Sequence, residues 1–328
     1  MSKPFVLITS PIAIAHPEPY VSALRANGFD VVEHMPPGQC LSEEEIMAFS
    51  PNILAVVCGD DEVSRRVIDA NPALKTVCKW GVGIDSIDWK YCAEKGITVR
   101  NVSGVHSQSM AEAACGYTLA LYKKLVHVDR MVRERRWEKV CSHTFEGSTI
   151  GIVGLGNIGR RVARMMSGWP INLLGYDPHA DAMPDFPGRL VSRDEIFSSS
   201  DCIVIAAPPR AERVRIHADG ADVELDAVMH LLKSGVLYVN VSRGALTPAA
   251  ALEQCLADGR IAAAAMDVYE VEPLPLDSRL RKEFADRMIF GAHTAYNCPG
   301  ISERVTRFTF ENLFAELGCP PPDAKTTH

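Results

Sequence analysis

The length, composition and charge of the chain exclude several classes of protein. A chain of 328 residues is longer than one hydrophobic core usually organises, so two domains are expected. Hydrophobic residues make up 47% and charged residues 23% of the chain, close to the average of folded globular proteins. The net charge of -7, without a stripe of Lys and Arg, indicates that nucleic acid is not a partner.

The cysteines and the apolar segments bear on the compartment. Ten cysteines are scattered without a C-x-x-C pair, a pattern that favours free thiols in a reducing cytosol over a metal site or a disulfide framework. Residues 5–15 resemble a signal peptide, but Pro11 interrupts the run and only Lys3 precedes it as a basic residue. With no other stretch of about twenty apolar residues, we expect a cytoplasmic protein without membrane contact.

Strand-like and helix-like segments alternate over the first hundred residues. The predicted strands are 5–9, 30–33, 53–58 and 76–79, and the predicted helices lie at 20–27, from Glu43 and from Glu62. Such alternation indicates a parallel sheet with helical crossovers.

A second series of the same kind follows a connecting segment. Ala and Leu dominate residues 110–128, which predicts one long helix there. The next predicted strands are short apolar runs, typical of buried parallel strands. They lie at 149–153, 173–176, 202–206, 236–240, 262–268 and 288–290, before a last helix at 302–317.

A glycine-rich turn opens the second series. Gly154, Gly156 and Gly159 form a G-x-G-x-x-G pattern between a predicted strand and a predicted helix, the context of a Rossmann turn. Gly154 permits the tight turn and Gly159 lets the helix pack closely on the strand. Gly156 lets the backbone approach a pyrophosphate, which we expect to meet Asn157 and Ile158 at the positive end of the helix.

Asp177 ends the next predicted strand, 18 positions after Gly159. A carboxylate at this place accepts hydrogen bonds from the adenosine ribose and repels a 2'-phosphate, so the sequence favours NAD over NADP. The alternative is a glycine-rich surface turn beside an incidental Asp.

Three further segments carry side chains suited to 2-hydroxy acid chemistry, at 239–246, 266–273 and 291–297. With these segments, the chain resembles the D-isomer-specific 2-hydroxyacid dehydrogenase family. The resemblance covers nearly the whole length and includes 81–88, 110–112 and the glycine turn with 176–178. The chain resembles a short form of the family, without the regulatory domain that long phosphoglycerate dehydrogenases append.

The resemblance implies a catalytic triad. The family's substrate-clamping arginine falls on Arg243, its histidine-orienting carboxylate on Glu272 and its catalytic histidine on His293. A guanidinium can grip a carboxylate through paired donors, and an imidazole can exchange the hydroxyl proton. A carboxylate beside the imidazole fixes its tautomer. Taken alone, His293 would be interpreted as a structural histidine, Arg243 as an ion-pair partner and Glu272 as a solvated acid.

The resemblance implies further binding residues. Backbone amides around Val82 and Gly83 would hold the substrate carboxylate, Asp267 the nicotinamide carboxamide, and Pro208 would line the cofactor site. Arg210 departs from the family pattern and either lies near the ribose or is an exposed loop residue. Trp80 either restricts the size of the substrate or packs under its loop.

The implied fold is two Rossmann-like, doubly wound parallel-sheet α/β domains. The NAD domain, residues 100–295, is inserted into a substrate domain made of 1–99 and 296–328, with the active site in the cleft and a homodimer formed through the nucleotide domain. The expected activity is hydride transfer between NAD and a small D-2-hydroxy acid, such as 3-phosphoglycerate, glycerate or lactate. The alternatives are an NAD-responsive regulator that does not catalyse, or a relative that acts on formate, phosphite or a phosphonate.

Overall fold

The computed structural model describes residues 3–38, 40–180, 187–207 and 223–322. The chain divides into two compact units, Met1–Val105 with Cys298–His328, and His106–Asn297. The second unit is therefore inserted into the first, which the chain leaves after Val105 and re-enters at Cys298.

The first unit is built on a parallel sheet of short apolar strands. These are β1 (Phe5–Ile8), β2 (Asp30–Glu33), β3 (Ile53–Cys58), β4 (Thr76–Lys79) and β5 (Thr98–Arg100). Within the described residues the strand order is β2-β1-β3-β4-β5, and every neighbouring pair is parallel. The strands β3 and β4 are almost wholly buried. Burial on both faces is why the sequence of β3 is a continuous apolar run rather than an alternating one.

Short helices connect these strands. They are α1 (Pro11–Ala15), α2 (Tyr20–Ala26), α3 (Glu43–Met47), α4 (Arg65–Ala70) and α5 (Trp89–Glu94). A capping box between Ser42 and Glu45 starts α3. The side chain of Ser64 accepts a hydrogen bond from the N–H of Val67 and starts α4, so the predicted start at Glu62 is wrong by three residues.

The second unit contains the larger sheet. Its strands are β6 (Thr149–Val153), β7 (Asn172–Tyr176), β8 (Arg189–Leu190), β9 (Cys202–Ile205), β10 (Val236–Asn240), β11 (Ile261–Met266) and β12 (Met288–Phe290). In the described part of this unit the order is β12-β11-β10-β9-β6-β7-β8, and all pairs are parallel. The strand order reverses between β6 and β9, the topological switch point at which such sheets bind ligands.

Helices cover both faces of this sheet. They are α6 (Ser107–Tyr122), α7 (Leu125–Arg133), α8 (Asn157–Met166), α9 (Arg193–Ser199), α10 (Leu225–Val228), α11 (Ala249–Ala257) and α12 (Arg279–Lys282). Alternate residues along the strands belong to two separate apolar clusters, as opposite faces of a pleated sheet require. Ile203 and Tyr238 lie in one cluster, and Val204 and Val239 lie in the other.

The connecting segment differs from its prediction. Instead of one helix over 110–128, two helices meet at Lys124, whose φ of 51° is left-handed. A left-handed residue ends the α-helical hydrogen-bond pattern, and neither Gly nor Pro stands there to indicate the break. The first helix also begins three residues earlier than predicted, at Ser107.

The last helix, α13 (Pro299–Leu317), returns to the first unit and packs on β3, β4 and β5. Tyr20 stacks on Phe310, with ring centroids 4.6 Å apart. Trp80 is 6% exposed and donates from Nε1 to the hydroxyl of Thr306 at 2.9 Å, so it packs beneath its loop. Two parallel α/β units, one inserted into the other, confirm the predicted fold class.

Candidate active site

The three predicted catalytic side chains follow three neighbouring strands of the larger sheet. Arg243 comes after β10, Glu272 after β11 and His293 after β12. Neighbouring parallel strands end at the same edge of a sheet, so the strand order brings these three loops together. This carboxyl edge is where open α/β sheets bind ligands.

A buried asparagine holds the turn that carries Arg243. Asn240 is fully buried and donates from Nδ2 to the Arg243 carbonyl at 2.9 Å and to the Thr247 hydroxyl at 2.8 Å. Its Oδ1 accepts from the N–H of Ser242 at 2.8 Å. The half-buried Arg243 side chain donates from Nη1 to the Ser242 carbonyl at 3.0 Å. A guanidinium has five N–H donors in a planar arrangement, and this arrangement matches the two oxygens of a carboxylate.

Gly244 lets the Arg243 turn approach the segment that carries Glu272. A Cβ at this position would overlap the carbonyl group of Tyr269 and the amide nitrogen of Glu270. Both are backbone groups, which cannot swing aside as a side chain does. The loops that follow β10 and β11 are therefore in direct backbone contact, and only glycine allows it.

Glu272 and His293 form a hydrogen-bonded pair. Nδ1 of His293 lies 2.7 Å from Oε2 of Glu272, and the other carboxylate oxygen accepts from the N–H of Tyr269 at 2.8 Å. Each of the two side chains is 21% exposed, so the pair is sheltered from bulk water. Because a carboxylate only accepts hydrogen bonds, it selects the tautomer with the proton on Nδ1. Nε2 is then the nitrogen suited to proton transfer.

The backbone of His293 adopts a left-handed conformation. Its φ is 53°, a conformation that costs a residue other than glycine about 1–2 kcal/mol. The His293 N–H donates to the Asp267 carbonyl at 2.7 Å. The Tyr269 hydroxyl lies 2.9 Å from the Met266 carbonyl and 3.2 Å from that of Gly291. These contacts offset the strain by tying the loop to the end of β11.

Asp267 anchors the same loop through its carboxylate. The residue is 1% exposed. Oδ1 accepts from the Tyr117 hydroxyl at 3.1 Å and from the Thr294 N–H at 3.2 Å, and Oδ2 accepts from the Ala295 N–H at 2.9 Å. Burial and, next, the charge of Asp267 raise the pKa of Tyr117, so the phenol stays a protonated donor. The contact of Asp267 with nicotinamide stays a prediction.

The glycine turn lies at the switch point between β6 and β9. Gly154 has a φ of 93°, and a Cβ there would lie 2.7 Å from the Cα and the amide nitrogen of Ala207. A Cβ at Gly159 would overlap the Gly154 carbonyl oxygen. Around Gly156, by contrast, no atom of the described residues other than the adjoining backbone and chain neighbours lies within 4 Å of such a Cβ. The turn therefore has glycine where packing is tight and open space at Gly156.

The helix α8 begins beside that open space. Gly156 is its N-cap, without a side-chain hydrogen bond to the first turn. The amides of Asn157 and Ile158 belong to that turn, whose N–H groups have no partner within the helix. Together with the helix dipole they suit a diphosphate, so these residues fit the pyrophosphate of a dinucleotide.

Asp177 follows β7 directly and contacts the glycine turn. Its Oδ2 accepts from the Leu155 N–H at 2.8 Å, and its Oδ1 accepts from the His179 N–H at 2.9 Å. An ionised carboxylate has about four acceptor positions, and these two bonds use two of them. The geometry is compatible with acceptance of ribose hydroxyls as well.

The remaining predicted residues lie elsewhere. Pro208 and Arg210 fall outside the described residues. Val82 and Gly83 belong to the first unit, in the loop after β4. Val82 is 43% exposed, and its carbonyl accepts from Nδ2 of Asn101 at 2.6 Å.

Sequence reasoning missed the side chains that position these loops. Asn240 and Tyr269 lie within the segments 239–246 and 266–273, but no role was predicted for either. Tyr117 lies outside every named motif, and its partner is 150 positions away. One signal was available for Asn240. It is a polar residue at the end of a fully apolar strand, where a buried amide needs partners from the following turn.

Among the residues that the structure describes, no group of three or more His, Cys, Asp and Glu side chains is arranged to hold a metal ion. Likewise, none of the helices that the structure describes combines the length and the apolar character needed to cross a membrane.

Comparison with known proteins adds the family. The model of the D-isomer specific 2-hydroxyacid dehydrogenase NAD-binding domain matches residues 115–295, which is more than half of the chain. The chain is 33% identical over 295 residues to D-3-phosphoglycerate dehydrogenase of Archaeoglobus fulgidus, a match that covers 88% of this chain and 53% of that protein. It is 32% identical over 282 residues to hydroxypyruvate reductase of Thermotoga maritima, covering 85% and 89%.

Solved structures have the same fold. NAD-dependent formate dehydrogenase of Staphylococcus aureus, in complex with NAD, superimposes with a TM-score of 0.82 at 24% identity and covers 97% of each chain. At that identity the likeness shows the fold alone.

Proposed function

The chain belongs to the D-isomer-specific 2-hydroxyacid dehydrogenase family, and we propose from this premise that it interconverts a small D-2-hydroxy acid and its 2-keto acid with NAD. The observation that carries the proposal is the 2.7 Å contact between His293 Nδ1 and Glu272 Oε2. The pair lies at the carboxyl edge of the sheet, next to the turn that carries Arg243.

NAD is the cofactor, and the residues described above fit it. When bound, NAD accepts the hydride from C2 of the hydroxy acid or returns it to C2 of the keto acid. Gly156, Asn157 and Ile158 would bind the pyrophosphate at the start of α8, and Asp177 would bind the adenosine ribose. The negative charge of Asp177 would disfavour the 2'-phosphate of NADP.

His293 would act as the general acid and base. In oxidation Nε2 takes the proton of the substrate hydroxyl, and in reduction it returns that proton to the carbonyl oxygen. Glu272 holds the Nδ1 proton in place and stabilises the imidazolium that forms. Glu272 also speaks against a formate-specific relative, in which we expect Gln at this position.

Arg243 would bind the substrate carboxylate and polarise the adjacent carbonyl through paired N–H donors. This role suits every 2-keto acid, because each has a carboxylate next to the reacting carbon. As the resemblance implies, the backbone amides around Val82 and Gly83 would bind the same carboxylate. Candidate substrates are hydroxypyruvate, glyoxylate, pyruvate and 3-phosphohydroxypyruvate, the keto forms of the acids that members of this family oxidise.

We also propose a cytoplasmic homodimer. All ten cysteines are free thiols, as expected in a reducing compartment. The second unit exposes Leu125 at 55%, Val132 at 44% and Trp137 at 85%. Val126, the neighbour of Leu125 in the chain, lines a cavity of about 290 Å³ together with Ile289. A second copy would cover this apolar surface. Sedimentation of the wild type and of Leu125→Glu tests the dimer, which the variant should dissociate.

The enzyme assay follows NADH absorbance with a panel of 2-keto acids, beside the variant His293→Ala. We expect turnover of at least one acid, reduced at least about a hundredfold in the variant. NADPH, formate and phosphite are run in parallel. Tight NADH binding without turnover of any acid would contradict the proposal and favour a regulator. Turnover of formate or phosphite alone would favour the other alternative.

A further inference from the structure

The helix α6 contacts the loop after β12 through two polar side chains. The Tyr117 hydroxyl donates to Oδ1 of Asp267 at 3.1 Å, and the Ser109 hydroxyl donates to the Ala295 carbonyl at 2.6 Å. Neither Tyr117 nor Ser109 has a part in the substrate or cofactor contacts proposed above. These contacts nevertheless hold Asp267 and Ala295 in place. Both residues are part of the structure that fixes the backbone of His293.

Three consecutive backbone amides of the loop converge on Asp267. The His293 N–H donates to its carbonyl, the Thr294 N–H to Oδ1 and the Ala295 N–H to Oδ2. The left-handed φ of His293 is therefore imposed by an anchor on both sides of its Cα. A residue in such a conformation persists only when its surroundings determine it.

Tyr117 completes the set of hydrogen-bond donors around that anchor. Asp267 is 1% exposed, and burying a carboxylate is costly unless hydrogen-bond donors surround it. Two of its donors are the backbone N–H groups of Thr294 and Ala295, and the Tyr117 hydroxyl adds a donor from a side chain. Gly291 makes room for this contact, because a Cβ there would lie 2.5 Å from the Tyr117 hydroxyl oxygen and would overlap Oδ1 of Asp267. The contact between Tyr117 and Asp267 therefore also depends on the glycine at position 291, in a different segment of the chain.

We propose that Tyr117 is a positioning residue for His293, acting through the carboxylate of Asp267. The hydroxyl holds the carboxylate, the carboxylate holds the amides of Thr294 and Ala295, and these amides fix the direction of the His293 side chain toward Glu272. The inference rests on the proposed function, in which His293 transfers the proton. In this proposal Tyr117 acts only through Asp267.

The variant Tyr117→Phe removes one hydroxyl, and Tyr122→Phe is the matched control. Both tyrosines lie on α6 and are largely sheltered, and Tyr122 stacks on Phe145, away from Asp267. We expect kcat to fall about tenfold or more in Tyr117→Phe, because small displacements of a catalytic group are costly. KM for the keto acid should stay within about twofold of the wild type. The control should change neither kcat nor KM.

A double substitution separates positioning from general packing. In the His293→Ala background, Tyr117→Phe should leave the residual kcat unchanged, because a residue that acts through His293 has nothing left to position. The same fractional loss in both backgrounds would overturn the proposal. An equal loss in Tyr117→Phe and Tyr122→Phe, or an unchanged kcat in Tyr117→Phe, would overturn it as well and would leave the proposed function intact.

A spectroscopic readout keeps the inference testable without turnover. Long-range ¹H–¹⁵N spectra of the histidine rings report the tautomer and surroundings of each imidazole, and His293→Ala identifies the signals of His293. These signals should shift in Tyr117→Phe and stay in place in Tyr122→Phe. If the wild type turns over no acid, the proposed function fails, and unshifted His293 signals in Tyr117→Phe would then overturn the positioning role separately.

Discussion

Alanine in place of Gly244 should push apart the two loops that carry Arg243 and Glu272. The added Cβ would overlap the Tyr269 carbonyl and the Glu270 nitrogen. Non-bonded heavy atoms need roughly 3.5 Å between centres, so one backbone segment must move by about 1 Å or more. The segment that moves is either the turn of Arg243 or the one that leads to Glu272.

The magnitude follows from which atoms move. Overpacking of this kind costs about 1–3 kcal/mol, which in a unit of this size lowers the melting temperature by about 2–12 °C. A displacement of about 1 Å in a catalytic group costs about a hundredfold in rate. The Glu272–His293 hydrogen bond of 2.7 Å has little room for such a displacement. We therefore expect Gly244→Ala to lower kcat/KM about a hundredfold.

The assay compares Gly244→Ala with Gly168→Ala in NADH turnover and in thermal unfolding. Gly168 is exposed and has no left-handed φ, and apart from its chain neighbours no atom of the described residues lies within 4 Å of an added Cβ. Its variant should therefore change stability by less than about 0.5 kcal/mol. A Gly244→Ala enzyme with unchanged activity and melting temperature would refute the close contact. A lowered melting temperature with full activity would show that the contact stabilises the fold without positioning Glu272.

Three other substitutions test separate parts of the structure. Glu272→Gln should lower kcat about 10²- to 10⁴-fold because its amide no longer selects the productive histidine tautomer; retention of a tenth of the wild-type kcat would contradict this. Asp177→Ser should raise kcat/KM for NADPH relative to NADH by about tenfold, since a like-charge repulsion of the 2'-phosphate is removed; an unchanged ratio would show that Asp177 does not face the ribose. Glu316→Gln tests pH dependence. The pKa of Glu316 is lowered from its ordinary value, and the largest cause is the hydrogen bond that the Thr98 hydroxyl donates at 2.6 Å. A lowered folded-state pKa contributes stability that is present above the unfolded pKa and is lost as the pH falls through the folded one. Urea unfolding should therefore show the variant about 1 kcal/mol less stable at pH 7 and equal to the wild type well below pH 4; a difference that is independent of pH would oppose this account.

The sequence predicted the strands better than the connecting helices. Strands that are buried on both faces have continuous apolar sequences, such as Ile53–Cys58. A short run of this kind is therefore recognisable as a strand in the sequence. The break at Lys124 could not be predicted in this way. It depends on the backbone of one residue in a segment whose composition favours an uninterrupted helix, and only the packing of α6 and α7 against the unit decides it.

For the site, motifs identified the residues with chemical roles but not those that hold them in place. The triad and the glycine turn belong to short patterns with fixed order. Tyr117 lies in a helix rich in Ala and Leu, where an aromatic residue is usually part of the core. Its contact with Asp267 joins two segments 150 positions apart, and no local pattern contains that information.

The residues at the ends of the strands explain how the site can be both open and rigid. Asn240 ends β10 and holds the turn of Arg243, and Asp267 follows β11 directly and holds the loop of His293. Both residues are buried and bind backbone groups, so the rigid sheet extends into the loops by one layer of hydrogen bonds. Arg243 and His293 each lie three positions beyond the end of a strand, near enough to be fixed by this layer and far enough to remain reachable. It follows that substitutions in the buried layer should impair turnover as much as substitutions of groups that touch the substrate, although this layer itself touches none.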